Sequence, residues 1–196
     1  MVTGASIALY KDLHVSNAVI AFCTSWISLP WVLKPLWSPF VDILKTRRLW
    51  IWTMQILMGA GFGAVALALP GENVLGWSLA FFFLIAFSSA THDIAADGFY
   101  ILANSEGDQA FFSGVRNTFY RLATIFSQGV LLVLAGKIQK QTGNAVMAWE
   151  AAFGLAAAVL VLLAAFHLFA LPKPSSDQPG EAVSIGKFFG EFFAIP

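Results

Sequence analysis

The chain has 196 residues, of which 58% are hydrophobic and only 11% are charged, and its formal net charge is zero. Ordinary soluble domains carry about 25% charged residues, so this composition predicts an integral membrane protein. The balanced charge gives no basis for binding nucleic acid. The single cysteine, Cys23, excludes an internal disulfide and a cysteine-based zinc site, and we expect neither a bound metal nor a cofactor.

A helix needs about 20 mostly apolar residues to cross a bilayer. Residues 1–10 are apolar but reach only about 15 Å at helical rise, so we interpret them as the tail of a helix whose beginning is absent. The sequence therefore predicts an all-α bundle over residues 1–171, with a partial first helix and five full spans. These spans are residues 17–41, 49–69, 75–100, 111–136 and 149–171.

After the last span the composition changes. Residues 172–184 are rich in proline and serine, which is typical of a flexible linker. Residues 185–196 place one isoleucine and four phenylalanines on a single helical face, which fits either an amphipathic helix at the membrane surface or the start of another span. Lysine and arginine are more frequent in the loop 42–48 and near the linker than in the opposite loops, so we expect this side to be cytoplasmic.

Ionisable side chains inside the predicted spans are the first candidates for a functional site, because each costs about 2.5–3.5 kcal/mol on insertion scales. Asp93 and Asp97 are one helical turn apart and project from the same face. Lys34 either reaches the membrane interface or pairs with one of these two carboxylates. Arg116 lies close enough to the end of its span to reach the interface. The alternative to a functional role is a buried ion pair that only fixes helix packing.

The next span carries a second polar stripe at helical spacing, formed by Asn117, Arg121, Thr124 and Gln128. An acidic stripe facing a basic one is expected to line a wet cavity between two helices. His92 adjoins Asp93 and is added to this candidate site.

A membrane-embedded transferase is the alternative of a different class. His92 and Asp97 have the spacing of an acyltransferase dyad, and Asp93 with Asp97 offers two oxygen ligands for Mg²⁺ on one helix face. Such short motifs are weak without a wider context, and no second acidic cluster accompanies them. The sequence therefore favours a protein that is not an enzyme.

Residues 38–48 resemble the signature loop of the major facilitator superfamily, Gly-x3-Asp-Arg-x-Gly-x-Arg-Arg, with matches at Asp42, Arg47 and Arg48. Residues 29–39 are similar to Leu-Pro-Tyr-x-Leu-Lys-Phe-Leu-Trp-Ala-Pro. Residues 90–100 are similar to Ala-Thr-Gln-Asp-Ile-x-x-Asp-Ala-Tyr, and residues 119–122 to Gly-Tyr-Arg-Ile. Together these motifs resemble the AmpG-type muropeptide permeases and the related acetyl-coenzyme A transporters.

The resemblance implies twelve or more helices in two halves, of which this chain is a truncated N-terminal half that needs the missing C-terminal half as its partner. It also implies proton-driven import of anhydro-muropeptides across the inner membrane, with transport of acetyl-coenzyme A or another anionic solute as the alternative. Asp93 and Asp97 occupy the acidic positions and would couple transport to protons.

The remaining expected roles follow from the same resemblance and from the polar stripes. The gating loop would use Asp42, Arg47 and Arg48. Two departures from the family pattern, His92 in place of glutamine and Gly98 in place of alanine, leave the exact substrate open. The expected substrate-binding residues are Lys34, His92, Asn117, Tyr120, Arg121 and Gln128.

Overall fold

The computed structural model describes residues 2–179, and every regular element in that range is a helix. A single π-helical turn, Phe126–Val130, joins two of the α-helices into one continuous span. In chain order the α-helices are α1 (Val2–Asp12), α2 (Asn17–Leu44), α3 (Arg47–Ala68), α4 (Val74–Ala103), α5 (Glu106–Ile125), α6 (Leu131–Thr142) and α7 (Ala145–Ala170).

Five helical stretches in the described range are long and apolar enough to cross a membrane, as the sequence predicted: α2, α3, α4, the stretch from α5 to α6, and α7. Each helix is longer than its apolar run, because polar residues at the ends cap the backbone. Five N-cap side chains accept a hydrogen bond from the N–H three residues further on. These are Ser16, Thr46, Asn73, Ser105 and Asn144. Residues 185–196, predicted as either a surface helix or the start of another span, lie outside the described residues.

Helices α3, α4 and α7 form the wall of the bundle, with α3 packed between the other two. Small residues make this close approach possible. A Cβ added at Gly61 would lie 2.5 Å from Cγ1 of Ile85 on α4. On the other side of α3, a Cβ at Gly59 would lie 3.0 Å from Cγ2 of Val161 and 3.2 Å from the carbonyl oxygen of Ala157, both on α7.

An aromatic cluster fills the space between α3, α4 and α7. Phe153 lies at its centre, with its ring centroid 5.6 Å from Phe82, 5.8 Å from Phe62 and 5.2 Å from Trp149. All four rings are essentially buried. A smaller apolar cluster near the α2–α3 loop closes that end of the bundle; it comprises Val41, Ile51, Ile94, Ala95 and Phe99.

Helix α5 differs from the others because it is not packed into this core. Every residue from 111 to 120 is exposed. Near its start, the Gln109 side chain donates hydrogen bonds to the carbonyls of Ile101 (3.3 Å) and Asn104 (3.1 Å) at the end of α4. The helix therefore lies beside α4 and leaves a space between the two, into which polar side chains project.

Candidate functional site

Helix α4 carries two carboxylates, and each pairs with a basic side chain from a different helix. Lys34 on α2 donates to Asp93, and Arg116 on α5 donates to Asp97. Of the two partners expected for Lys34, the structure thus places Asp93 at its ammonium group. Because the carboxylates are one turn apart, α4 is linked by charge to α2 on one side and to α5 on the other.

The two pairs differ in their contact with solvent. The side chains of Lys34 and Asp93 are 24% and 34% exposed, whereas those of Arg116 and Asp97 are 51% and 42% exposed. The Lys34 ammonium also lies 5.6 Å from the centroid of the Trp31 ring, within the range of a cation–π interaction. The Lys34–Asp93 pair is therefore less screened, and a change in its charge has the larger electrostatic consequence.

A polar cavity of about 450 Å³ lies between α4 and α5. Its size falls within the range of small-molecule sites. The Arg116 guanidinium crosses one wall, 5.7 Å from the Tyr100 ring. The lining offers a carboxylate, a guanidinium, an amide and three hydroxyls, which suits a solute with hydroxyls, amides and an anionic group. The residues are Asp93, Tyr100, Ser113, Arg116, Asn117 and Tyr120.

A second cavity, of about 400 Å³, lies on the other side of α4 against α3 and α7, and both His92 and His167 line it. Nδ1 of His167 is 2.9 Å from Oε1 of Gln55. Nε2 of His92 is buried and has no hydrogen-bond partner within residues 2–179. Adjacent residues on a helix do not share a face, so His92 points away from the cavity that Asp93 lines.

The loop between α2 and α3 and the start of α3 contact both the end of α2 and the segment after α7. Arg47 forms an ion pair with Asp42 at 2.8 Å. The Asp177 carboxylate, beyond α7, accepts the backbone N–H groups of Arg47 (2.8 Å) and Arg48 (3.1 Å). The Arg48 side chain in turn donates to the carbonyl of Leu171 at 3.1 Å. The segment after α7 is thus held against the start of α3 at this position.

Gly98 on α4 has a steric role at the same end of the bundle. The Arg47 side chain lies directly against it, and a Cβ at this position would overlap the guanidinium. The glycine, where the resembling family has alanine, therefore makes room for the arginine of the loop.

The family model described as Major Facilitator Superfamily matches residues 1–195, almost the entire chain. The chain belongs to the Major Facilitator Superfamily. It is 28% identical over 177 residues to the anhydromuropeptide permease of Escherichia coli (strain K12), a match that covers 85% of this chain and 34% of that protein. An uncharacterized protein of Haemophilus influenzae is 29% identical over 172 residues, covering 85% of this chain and 38% of the relative. No solved structure gives a significant match.

The chain spans about a third of the length of the curated Major Facilitator Superfamily relatives it matches. Membership identifies a multi-pass membrane protein of a transporter family and not of an enzyme family. The transferase alternative on His92, Asp93 and Asp97 is therefore set aside. Each of these two carboxylates also has its own basic partner on a different helix, which is not the arrangement of a shared metal site.

Some of the site residues expected from the sequence lie close together in the structure, and others lie elsewhere. Three of them line the α4–α5 cavity: Asp93, Asn117 and Tyr120. Lys34 is paired with Asp93, and Asp97 is paired with Arg116, which also lines the cavity. His92, however, lines the second cavity.

Two expected residues of α5 and the π turn lie elsewhere. Arg121 is exposed and makes no ion pair within the part of the chain that the structure describes. Gln128 is in the π turn, and its side chain lies beside Gly4 of α1. Neither lines the α4–α5 cavity.

Tyr100 and Arg116 line the cavity but were not among the expected binding residues, and a third lining residue, Ser113, was missed from the sequence altogether. Its signal was available, because Ser113, Arg116, Asn117 and Tyr120 follow the i, i+3, i+4, i+7 spacing of one helical face. The stripe predicted through Asn117 and Arg121 has equally regular spacing. Only the position of α4 decides between the two faces.

Proposed function

We propose that this chain forms one half of a proton-coupled transporter that imports anhydromuropeptides, in which Asp93 takes up and releases the proton. The Lys34–Asp93 pair is the observation that carries this proposal. Asp93 lies ten residues before the end of α4 at Ala103, about 15 Å by helical rise. An ion pair at such a depth in a span is costly and usually marks a transport pathway.

The pair offers a way to link proton and solute. A proton from water that binds the Asp93 carboxylate removes its negative charge and with it most of the attraction for Lys34. The ammonium group is then free to bind an anionic group of the solute. The charged and titratable groups around Asp93 are Lys34, His92, Asp97, Tyr100, Arg116 and Tyr120.

The solute is inferred from the chemistry of the lining and from the named relative. A muropeptide carries sugar hydroxyls, amides and carboxylates. Asn117 and Tyr120 can hydrogen-bond the first two groups, and Arg116 can bind a carboxylate. Exposed Arg121 adds a further positive charge for attracting an anion to this side of the bundle. Acetyl-coenzyme A, the other anionic solute considered, is a competitor to be tested against the muropeptide.

A second half is needed to close this site, because α5 and the cavity are open on the side away from α4. Transporters of this kind bind solute near the bilayer midplane between two halves that rock against each other. The proposed setting is the bacterial inner membrane, with the α2–α3 loop in the cytoplasm. Cysteine labelling in intact cells tests this topology: Gly143→Cys should react with an impermeant reagent from outside, and Thr46→Cys should not.

The central experiment measures uptake by the two-half transporter that contains this chain. Asp93→Asn should abolish muropeptide accumulation driven by an imposed pH gradient, yet retain exchange of labelled for unlabelled solute without a gradient. Asp97→Asn should have a milder effect, because Asp97 is more exposed. Asp108→Asn, an exposed carboxylate at the start of α5, is the control. Normal accumulation by Asp93→Asn would remove Asp93 from the mechanism.

A further inference from the structure

The part of α2 that carries Lys34 has a weakened helical backbone. Pro30, Pro35 and Pro39 all lie inside α2. A proline has no backbone N–H, so each one removes a hydrogen bond to the carbonyl four residues earlier. Lys34 therefore lies between two breaks in the hydrogen-bond ladder, and the backbone alone defines its position less firmly than in an ordinary helix.

A side-chain contact of Trp37, one turn after Lys34, fixes the position of this part of α2 against α4. Nε1 of Trp37 donates a hydrogen bond to Oγ1 of Thr91 at 3.2 Å, and this hydroxyl donates to the carbonyl of Phe87 at 2.9 Å. The Trp37 ring also stacks on Phe87, with centroids 4.8 Å apart. Thr91 is only 3% exposed, so its hydroxyl has little access to water as a substitute partner.

The contact fixes the register between the two helices that form the ion pair. Trp37 follows Lys34 by three residues on the same face of α2, and Thr91 precedes Asp93 by two residues on α4. A slip of one residue between these helices would turn a side chain by about 100° and shift it about 1.5 Å. Such a displacement would take the Lys34 ammonium away from the Asp93 carboxylate.

We infer that Trp37 and Thr91 are positioning residues that hold Lys34 against Asp93. This inference rests on the proposed function, in which Asp93 takes up the proton and its pairing with Lys34 depends on that protonation. Neither residue lines the α4–α5 cavity, so they act through the pair and not by contact with the solute.

The test uses substitutions that remove the hydrogen bond between Trp37 and Thr91. Thr91→Val also removes the bond to the Phe87 carbonyl within α4, a loss of the same kind as in the control below. Thr91→Val keeps the shape but removes the hydroxyl, Thr91→Ser restores the hydroxyl, and Trp37→Phe keeps a ring on Phe87 without the N–H. Thr118→Val is the matched control, because the Thr118 hydroxyl bonds only to the carbonyl of Gly114 in its own exposed helix, at 3.0 Å.

In the two-half transporter, Thr91→Val and Trp37→Phe should each reduce gradient-driven accumulation about fivefold, the effect expected of one hydrogen bond. Both should also shift the pH of half-maximal accumulation, which general damage to the fold would not do. The double variant should be no worse than either single variant, since both remove the same bond. Thr91→Ser and Thr118→Val should behave as the parent protein.

Two results separate this inference from the proposed function. Parent-like accumulation and pH dependence in both Thr91→Val and Trp37→Phe, with Asp93→Asn inactive, would overturn the positioning role and leave the function intact. Normal accumulation in Asp93→Asn would overturn the proposed function itself. Additive losses in the double variant would show that the two side chains act independently, which also contradicts the inference.

Discussion

The packed wall of α3, α4 and α7 and the open helix α5 are two regions of one membrane bundle with opposite character. The wall is held by rings such as Phe82 and Phe153, which are at most 1% exposed. On α5, Phe119 is 66% exposed, and the contacts to α4 are polar. Lipid is as apolar as a leucine side chain, so close packing, and not the exclusion of water, holds membrane helices together.

This difference separates stability from function in the molecule. The wall contains small residues and interlocked aromatic rings, which leave little freedom for movement. The charged and hydrogen-bonding groups that face the cavity lie on α5 and on the face of α4 that is turned toward it. Substitutions in the wall should therefore affect folding most, and substitutions on α5 should affect folding least.

The largest effect on stability is expected for Phe153→Ala. It removes the ring at the centre of the aromatic cluster and leaves a cavity that its rigid neighbours cannot fill, at a cost of about 3 kcal/mol. Phe119→Ala on α5 is the matched control and should change stability by less than about 0.5 kcal/mol. Unfolding in detergent followed by circular dichroism measures both. Equal losses would show that α5 is packed as tightly as the wall.

A pair of glycine substitutions should give effects of opposite sign. The Cβ of Gly61→Ala would meet buried Ile85 at 2.5 Å, and the overpacking should cost about 1–3 kcal/mol. At Gly114 on α5 nothing lies within 4 Å of the added Cβ, so Gly114→Ala should stabilise the helix by up to about 1 kcal/mol. The same unfolding measurement gives the change in stability for both variants. A gain in stability from Gly61→Ala would contradict the close contact of α3 with α4.

The five spans were predictable from the sequence, but the packing of the wall was not, and the site was predictable only in part. Runs of apolar residues located all five spans, because length and hydropathy are sufficient for that. The pair formed by Lys34 and Asp93 was one of two pairings that the sequence allowed. Choosing between them required the relative register of α2 and α4, which tertiary contacts decide.

The sequence was least informative where the helical period breaks or where distant segments meet. In the sequence, Gln128 continues the polar stripe that begins at Asn117. It lies, however, in a π turn, where the period of 3.6 residues per turn no longer holds. His92 adjoins Asp93 in sequence yet faces another cavity. The composition of residues 172–184 predicted a flexible linker, and nothing in it indicated that Asp177 would cap a helix 130 residues earlier in the chain.

A smaller effect is expected at this cap. Asp177 is 5% exposed and accepts two N–H groups at the start of α3, so Asp177→Ala should cost about 1 kcal/mol, as for other helix caps. Amide hydrogen exchange should accelerate at Arg47 and Arg48. Ser176→Ala, an exposed neighbour, should change neither quantity. Unchanged exchange in Asp177→Ala would show that water replaces the carboxylate without cost.

The smallest effect on stability is expected at the ion pair that links α5 to α4. The Arg116 and Asp97 side chains are about half exposed, and exposed pairs contribute about 0–1 kcal/mol because solvent and salt screen them. Arg116→Gln should therefore lower stability by less than about 0.5 kcal/mol at moderate salt. The local consequence should be clearer than the global one. Without this link, the hydrogen bonds that still join α5 to α4 all lie near its start, two from the Gln109 side chain and one from the Tyr100 hydroxyl to the Gln109 carbonyl. Amide exchange should therefore accelerate along the rest of α5 and stay unchanged in α3 and α7. A loss comparable with that of Phe153→Ala, or faster exchange in the wall, would show that the two regions are one cooperative unit.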